Sequence, residues 1–307
     1  MMLLPVIRFY IMTGRRKKIL FLLPFVLSLM PIMETWRYLP FAESGAFENM
    51  ATDEALLRHA GTAPAVPTLR FFGWDPPAVS LGYFQDAMKE VNLSYCREHG
   101  IDVVRRPTGG KAVFHDCDVT YSLVAGENHP LFPRGILGTY QVISSAILKA
   151  LSKLGVEAEM TADGRSRAPD GLAAFCFSVP SRYELLVEGR KICGSAQTRS
   201  RGVFLQHGSI LVDFDPVRTA AVLLGSGESA EQKIREMERA VTSLRGHLKE
   251  KISPLGLTRV LLEGFEEVFH VRIMPGELTP EERTMKARLL REKYTLEKWN
   301  IEGQGPG

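Results

Sequence analysis

The chain has 307 residues, 45% hydrophobic and 24% charged, which suits a soluble globular protein large enough to bury a substantial core. A net charge of +3, with no concentrated basic face beyond the N-terminal tail, argues against a nucleic-acid binder. Cys96, Cys117, Cys176 and Cys193 lack paired spacing, so neither a metal site nor a disulfide framework is expected and a reduced, cytoplasmic setting is the default.

Arg15-Arg16-Lys17-Lys18 and the apolar run Ile19 to Ile32 have a signal-like layout, but the run is short for a membrane span and no small-x-small cleavage site follows. The preferred reading makes residues 1–32 a dispensable extension, with the natural start at Met33; a membrane anchor is the rival. A folded domain is expected over 33–300, with 301–307 as a tail. Residues 48–57 carry apolar positions at helical spacing. Thr68 to Trp74 and Ala78 to Phe84 read as strands joined by the turn Asp75-Pro76-Pro77, which predicts a hairpin. Residues 87–99 look helical, and Ile101 to Val104 and Val119 to Val124 read as strands.

Between those two strands lies Arg105-Arg106-Pro107-Thr108-Gly109-Gly110-Lys111-Ala112-Val113-Phe114-His115-Asp116. Paired glycines allow close backbone approach or positive φ, and arginines with a histidine supply charge and a titratable donor. The stretch is read either as an acyl or phosphate cradle or as an ordinary glycine turn; it lacks the spacing of a Walker loop. Further on, Tyr140 to Leu154 is the clearest helix of the first half, and Thr161 to Ala174 is a polar, glycine-rich loop. Tyr183 to Ser195 forms a second hairpin and Phe204 to Val212 a strand, after which 216–224, 229–248, 255–269 and 280–299 read as helices. Hairpin-connected strands in front and helices behind give a mixed α/β (α+β) fold with a largely antiparallel or mixed sheet.

A thiolate is the natural acceptor for an acyl group held as a thioester. Cys96 reads as core packing, Cys117 follows the glycine loop, and Cys193 sits on a strand. Cys176, where the polar loop meets the hairpin, is the preferred nucleophile by position. Lys191 is either an oxyanion donor or a solvated edge lysine, and His207 either a core histidine or a site residue.

The Arg105 to Asp116 stretch resembles the Arg-Arg-x-Ser/Thr-Gly-Gly-x-Ala-Val-x-His-Asp signature of the lipoate-protein ligase A and octanoyltransferase family, within the biotin/lipoate A/B protein ligase superfamily. Arg190 to Gln197 is similar to that family's lysine motif, Leu205 to Ile210 to its third block, and Asn49 to Ala55, Phe72-Gly73-Trp74 and Ser80 to Tyr83 match supporting stretches. Cys176 in Cys-Phe-Ser-Val-Pro-Ser-Arg-Tyr-Glu resembles the nucleophile segment of LipM-type octanoyltransferases, although LipL-type amidotransferases also use a cysteine.

The resemblance implies a class II biotin/lipoyl ligase-like catalytic domain without the C-terminal accessory domain of the ATP-dependent ligases, and no cofactor. It implies octanoyl transfer from octanoyl-acyl carrier protein, through a Cys176 thioester, to a lysine of a lipoyl domain such as the glycine-cleavage H protein. ATP-dependent lipoate ligation and lipoyl relay between lipoyl domains are the alternatives. Lys191 joins Cys176 as catalytic; Arg106, Thr108, Gly109, Gly110, Ala112, Val113, His115, Gly194, Ser195 and His207 are expected to bind substrate, and Phe72, Trp74, Leu81 and Tyr83 to wall the acyl tunnel.

Overall fold

The computed structural model describes residues 33–62, 66–161, 183–223 and 229–303. The expected N-terminal extension, nearly all of the loop after Thr161, Cys176 and residues 304–307 lie outside them. The strands are β1 (Thr35–Ser44), β2 (Thr68–Trp74), β3 (Ala78–Leu81), β4 (Asp102–Arg105), β5 (Val113–His115), β6 (Asp118–Gly126), β7 (Glu159–Met160), β8 (Leu185–Val187), β9 (Arg190–Ser200), β10 (Val203–Leu211) and β11 (Arg272–Pro275). The helices are α1 (Ala46–Ala60), α2 (Ala87–Glu90), α3 (Leu93–Glu98), α4 (Ile136–Lys153), α5 (Pro216–Val222), α6 (Ala230–Ala240), α7 (Pro254–Phe269), α8 (Pro280–Leu289) and α9 (Glu297–Asn300).

Eight strands form one mixed sheet in the order β11-β1-β2-β6-β10-β9-β8-β7, parallel only where β1 meets β2 and β11. A second sheet has the order β4-β3-β5. The period-2 alternation of a strand decides what each face of the large sheet meets. Leu69 and Phe71 of β2, Val119, Tyr121 and Leu123 of β6, and Phe204 and Ile210 of β10 point into the main core with Ile143 and Ile147 of α4 and Phe265 and Phe269 of α7. The alternate positions, Arg70, Ser122 and His207 among them, are polar yet buried, and they face α1 and the small sheet.

The expected hairpin over 68–84 does not form. Both edges of β2 are taken, by β1 and β6, and β3 pairs instead with β4 and β5. Pro76 and Pro77 have no N–H to donate, so the connection carries no ladder and passes the chain from one sheet to the other. Two predicted helices are also interrupted. At 87–99, Val91 bridges Leu223 and Asn92 caps a new helix by accepting from the Tyr95 N–H. At 229–248, Val241 bridges Lys191 and the Thr242 N–H donates to the Lys191 carbonyl, so a sheet edge competes successfully with the helix. Among the described residues no helix is long and apolar enough to cross a membrane.

The C-terminal segment is clamped from inside. Arg105 donates to the carbonyls of Gly82, Tyr83, Gln85, Trp299 and Asn300, while Trp299 Nε1 returns a bond to the Arg105 carbonyl at 2.9 Å. Glu54 on α1 receives Lys293 Nζ at 2.6 Å, Arg58 Nε at 2.8 Å and the Tyr294 hydroxyl. Burial would raise the Glu54 carboxyl, but the charge of Lys293 and these hydrogen bonds outweigh it and hold it below the ordinary value.

Glu54→Gln leaves the Lys293 ammonium buried without its counter-charge. The variant is expected to lose about 3–5 kcal/mol of stability by urea unfolding at neutral pH. In the native protein this contribution is fully present above the unfolded glutamate pKa of about 4.3 and fades as pH falls through the depressed folded value; stability of the variant is expected to show a correspondingly smaller loss over that acid range.

Candidate active site

A cavity of about 220 Å³ opens between the polar face of the large sheet and the small sheet. Strand register sets out rows across the large sheet: Arg70, Ser122, His207 and Ala196 stand opposite one another across β2, β6, β10 and β9, and Phe72, Thr120, Ser209 and Gly194 form the next row; His207, Ala196, Thr120, Ser209 and Gly194 of these form the floor. Ser80 of β3 and His115 of β5 close over it from the small sheet.

Arg106 organises the roof. Its guanidinium donates to the carbonyls of Ser80 (2.8 Å), Gly109 (2.9 Å) and Lys111 (2.7 Å), to Ser80 Oγ (3.1 Å) and to Thr108 Oγ1 (3.1 Å). A guanidinium can only donate, so both hydroxyl oxygens accept from it and are left to donate elsewhere. Ser80 Oγ lies 2.8 Å from His115 Nε2, and Thr108 Oγ1 lies 2.7 Å from His207 Nε2. Each Nδ1 lies against a carboxylate, which only accepts, so Nδ1 carries the proton and the Nε2 of the neutral ring accepts from the hydroxyl. His115 Nδ1–H faces Asp118 Oδ2 and His207 Nδ1–H faces Asp53 Oδ2, both at 3.0 Å. Two parallel hydroxyl–imidazole–carboxylate chains thus hang from one arginine.

The carboxylates differ in their surroundings. Asp53 also accepts from Arg70 (2.9 Å) and Ser122 (2.9 Å). Burial would raise it, but the His207 bond and the Arg70 charge win and hold it low. His207 is itself held below the ordinary histidine value, because its burial outweighs the pull of Asp53. Asp118 accepts from His115, Ser209 (2.6 Å) and Thr120 (2.9 Å) through Oδ2, while its buried Oδ1 has no hydrogen-bond partner. Burial would raise Asp118 as well, and the hydrogen bonds from His115, Ser209 and Thr120 hold it low.

Lys191 is positioned by the β8–β9 hairpin, whose turn residues Glu188 and Gly189 both take positive φ. It is buried, with Nζ 2.7 Å from Glu184 Oε1, so the solvated-lysine reading is excluded. Across the cavity the glycine loop is pinned by close approach: a Cβ on Gly82 would stand 1.8 Å from the Gly110 carbonyl oxygen, and Gly110 itself has a φ of +92°.

Of the residues singled out by sequence, Trp74, Arg106, Gly110, Val113, His115, Lys191, Gly194, Ser195 and His207 line this one cavity. Thr108 stands behind it holding His207, the Gly109 carbonyl holds Arg106, and Ala112 packs in the core of the small sheet. Three of the four expected tunnel residues lie elsewhere. Leu81 alternates with the cavity-facing Ser80 and so points into the small-sheet core. Phe72 is covered by α1, with the Arg70 guanidinium 3.9 Å above its ring, and Tyr83 is 42% exposed against Phe84 and Trp299. Ser80, Thr120, Glu184 and Ser209 in the lining, and Asp53 and Asp118 behind it, had no role assigned from sequence. The one available signal was the spacing of Asn49 and Asp53, four apart on α1, which places two polar groups on one helix face toward Arg70.

The three described cysteines make poor nucleophiles. Burial pushes Cys96 up to about 11 and Cys193 up to about 12. Cys117 is exposed outside the cavity, raised by partial burial and then by Asp116, Asp213 and Asp118.

Residues 45–266 match the model of the lipoyl protein ligase A/B catalytic domain. The chain is 44% identical over 272 residues to octanoyltransferase LipM of Kyrpidia tusciae, covering 87% of this chain and 99% of the relative. It is 36% identical over 274 residues to octanoyltransferase LipM of Bacillus subtilis, covering 88% and 99%. Among solved structures it resembles the bi-partite lipoate protein ligase of Thermoplasma acidophilum, with a TM-score of 0.74, 26% identity and coverage of 90% and 99%. A lipoate-protein ligase A bound with ATP superposes with a TM-score of 0.73 at 26% identity, covering 89% and 100%.

The tautomers fixed by Asp118 and Asp53 are directly measurable. Nitrogen-15 NMR of labelled histidine is expected to show Nδ1 protonated and Nε2 bare in both His115 and His207. Arg106→Lys, whose single ammonium cannot span the same acceptors, is expected to perturb both rings together. A native protein with protons on Nε2 would contradict the assignment.

Proposed function

The chain belongs to the lipoyl protein ligase A/B catalytic-domain family and is an octanoyltransferase of lipoate biosynthesis, and we propose that it works through an acyl-enzyme. Cys176 attacks the thioester of octanoyl-acyl carrier protein, and the acyl group then passes to a lysine amine of a lipoyl domain such as the glycine-cleavage H protein. The identity to LipM octanoyltransferases along nearly their whole length carries this reading. The upward pKa shifts of the three described thiols, which disfavour the thiolate, support Cys176 as the nucleophile. The reducing cytoplasm, in which free thiols persist, is the setting we assign to it.

A thioester is already activated, so the enzyme's task is to place the carbonyl and stabilise the charge that develops on its oxygen. Lys191 brings a buried positive charge to the cavity, which Gly110 and Gly194 also line. A charge held in place by Glu184 acts with little reorganisation. Arg106 is fully engaged in holding the loop, so its part is to set the cavity's shape rather than to bind the carbonyl.

Incubation with octanoyl-acyl carrier protein is expected to add one octanoyl mass to the peptide that contains Cys176. Cys176→Ala is expected to abolish the adduct and lower turnover by at least about 10³-fold; an adduct that survives the substitution would remove Cys176 from the role. Lys191→Ala is expected to cost about 10²–10³-fold in turnover. Octanoyl-adenylate formed from ATP and the free acid, with no adduct, would indicate ligase chemistry instead.

A further inference from the structure

An attacking lysine must first lose a proton, and at a reference pKa of about 10.4 it does not do so unaided near neutral pH. The two hydroxyl–imidazole–carboxylate chains offer two routes for that proton, and three observations separate them. The hydroxyl of one chain, Ser80, lines the cavity with its imidazole, whereas Thr108 of the other does not, and Thr108 occupies the His207 Nε2. Asp53 already has a permanent cation in Arg70 at 2.9 Å, whereas among the described residues no lysine or arginine is bonded to Asp118, whose Oδ1 is buried without a partner. The His115 ring is stacked on Trp74, with centroids 4.0 Å apart and planes at 14°, which favours a cationic ring.

We propose that Ser80, His115 and Asp118 are the proton relay that frees the acceptor lysine, and that Thr108, His207 and Asp53 are its structural counterpart. This rests on the reading that a thioester is the donor and an ammonium-bearing lysine the acceptor. The ammonium gives a proton to Ser80 Oγ as the Ser80 proton passes to His115 Nε2. The freed amine forms the N–C bond while the C–S bond breaks, and the departing thiolate takes the second amine proton. His115, then an imidazolium with Nδ1–H on Asp118, returns its proton to solvent after the amide leaves. Ser80 is the catalytic residue in contact with the amine; His115 and Asp118 act through it. The groups that face His115 are Trp74 from β2, Ser80 from β3, Asp118 and Thr120 from β6 and Ser209 from β10. Arg106, Lys111, Lys191, Glu184 and His207 are the other charged or titratable groups of the cavity.

The test compares two nucleophiles in the full-length enzyme with octanoyl-acyl carrier protein as donor: a lipoyl-domain lysine, and hydroxylamine, which is uncharged at the assay pH and needs no base. His115→Gln and Asp118→Asn are expected to slow transfer to lysine by about 10²–10⁴-fold but transfer to hydroxylamine by less than about tenfold. The residual lysine rate of these variants is expected to climb with pH toward the lysine pKa, while the native rate is expected to depend less steeply on pH. His207→Gln is expected to slow both nucleophiles alike. If His115→Gln is insoluble, Asp118→Asn and Ser80→Ala carry the same comparison. Equal losses for both nucleophiles, no loss for lysine, or a lysine-selective loss in His207→Gln overturns the relay. A native enzyme that discharges the donor to neither nucleophile overturns the functional reading beneath it.

Discussion

A guanidinium has five N–H bonds in a fixed plane and no acceptor, so once Arg106 is buried its surroundings must present lone pairs to it. The loop 108–111 supplies carbonyls, and Ser80 and Thr108 supply hydroxyl oxygens. Each hydroxyl has then spent an acceptor position on Arg106 and turns its proton toward an imidazole. Arg106 fixes where the two hydroxyls stand, and the carboxylates of Asp118 and Asp53 at the far ends, by drawing the Nδ1 protons, set the direction of hydrogen bonding through the two histidines.

The same face of the sheet holds a large amount of buried charge, and it does so by pairing. Arg70 with Asp53, Lys191 with Glu184 and Lys293 with Glu54 each remove two ions from water and return a short charge-assisted bond. Such pairs add little net stability, but removing one member strands the other, so they constrain where α1, the β8–β9 hairpin and the C-terminal segment can sit. Asp118 differs, with a histidine and two hydroxyls where the others have a permanent cation. A carboxylate arranged in this way favours a proton arriving on the histidine, and the asymmetry between otherwise similar chains gives them different chemical roles.

The opposite face is ordinary packing. Trp36, Phe132, Phe265 and Phe269 cluster against β1 and the α4–α7 layer. Its aromatic contacts anchor the sheet whose register sets the polar rows. Local stability and site geometry are therefore linked through alternation: the odd positions of β6 hold the core and the even positions hold Asp118, Thr120 and Ser122.

The residue pattern alone was enough to read the mixed α/β class, the strand over 68–74, the helix after Tyr140, the hairpin that carries Lys191, and the family, because these depend on local periodicity, turn chemistry and a motif contiguous in the chain. Most of the cavity lining named from Arg106 to His207 was legible for the same reason. The acyl-wall residues were not: Phe72, Leu81 and Tyr83 are aromatic or aliphatic beside the motif, but which side of a strand they occupy, and what covers it, is set by packing. The hairpin over 68–84 failed because β2 found better partners far along the chain than its sequence neighbour. Asp53, Ser80 and Asp118 acquire their roles only when α1, the small sheet and the large sheet meet, since a hydrogen-bonded chain between residues distant in sequence leaves no periodic trace in it. Which groups are available is written in the residue order; which hydroxyl faces the cavity and which carboxylate lacks a permanent cation arise only on folding, because both depend on distances between separate elements.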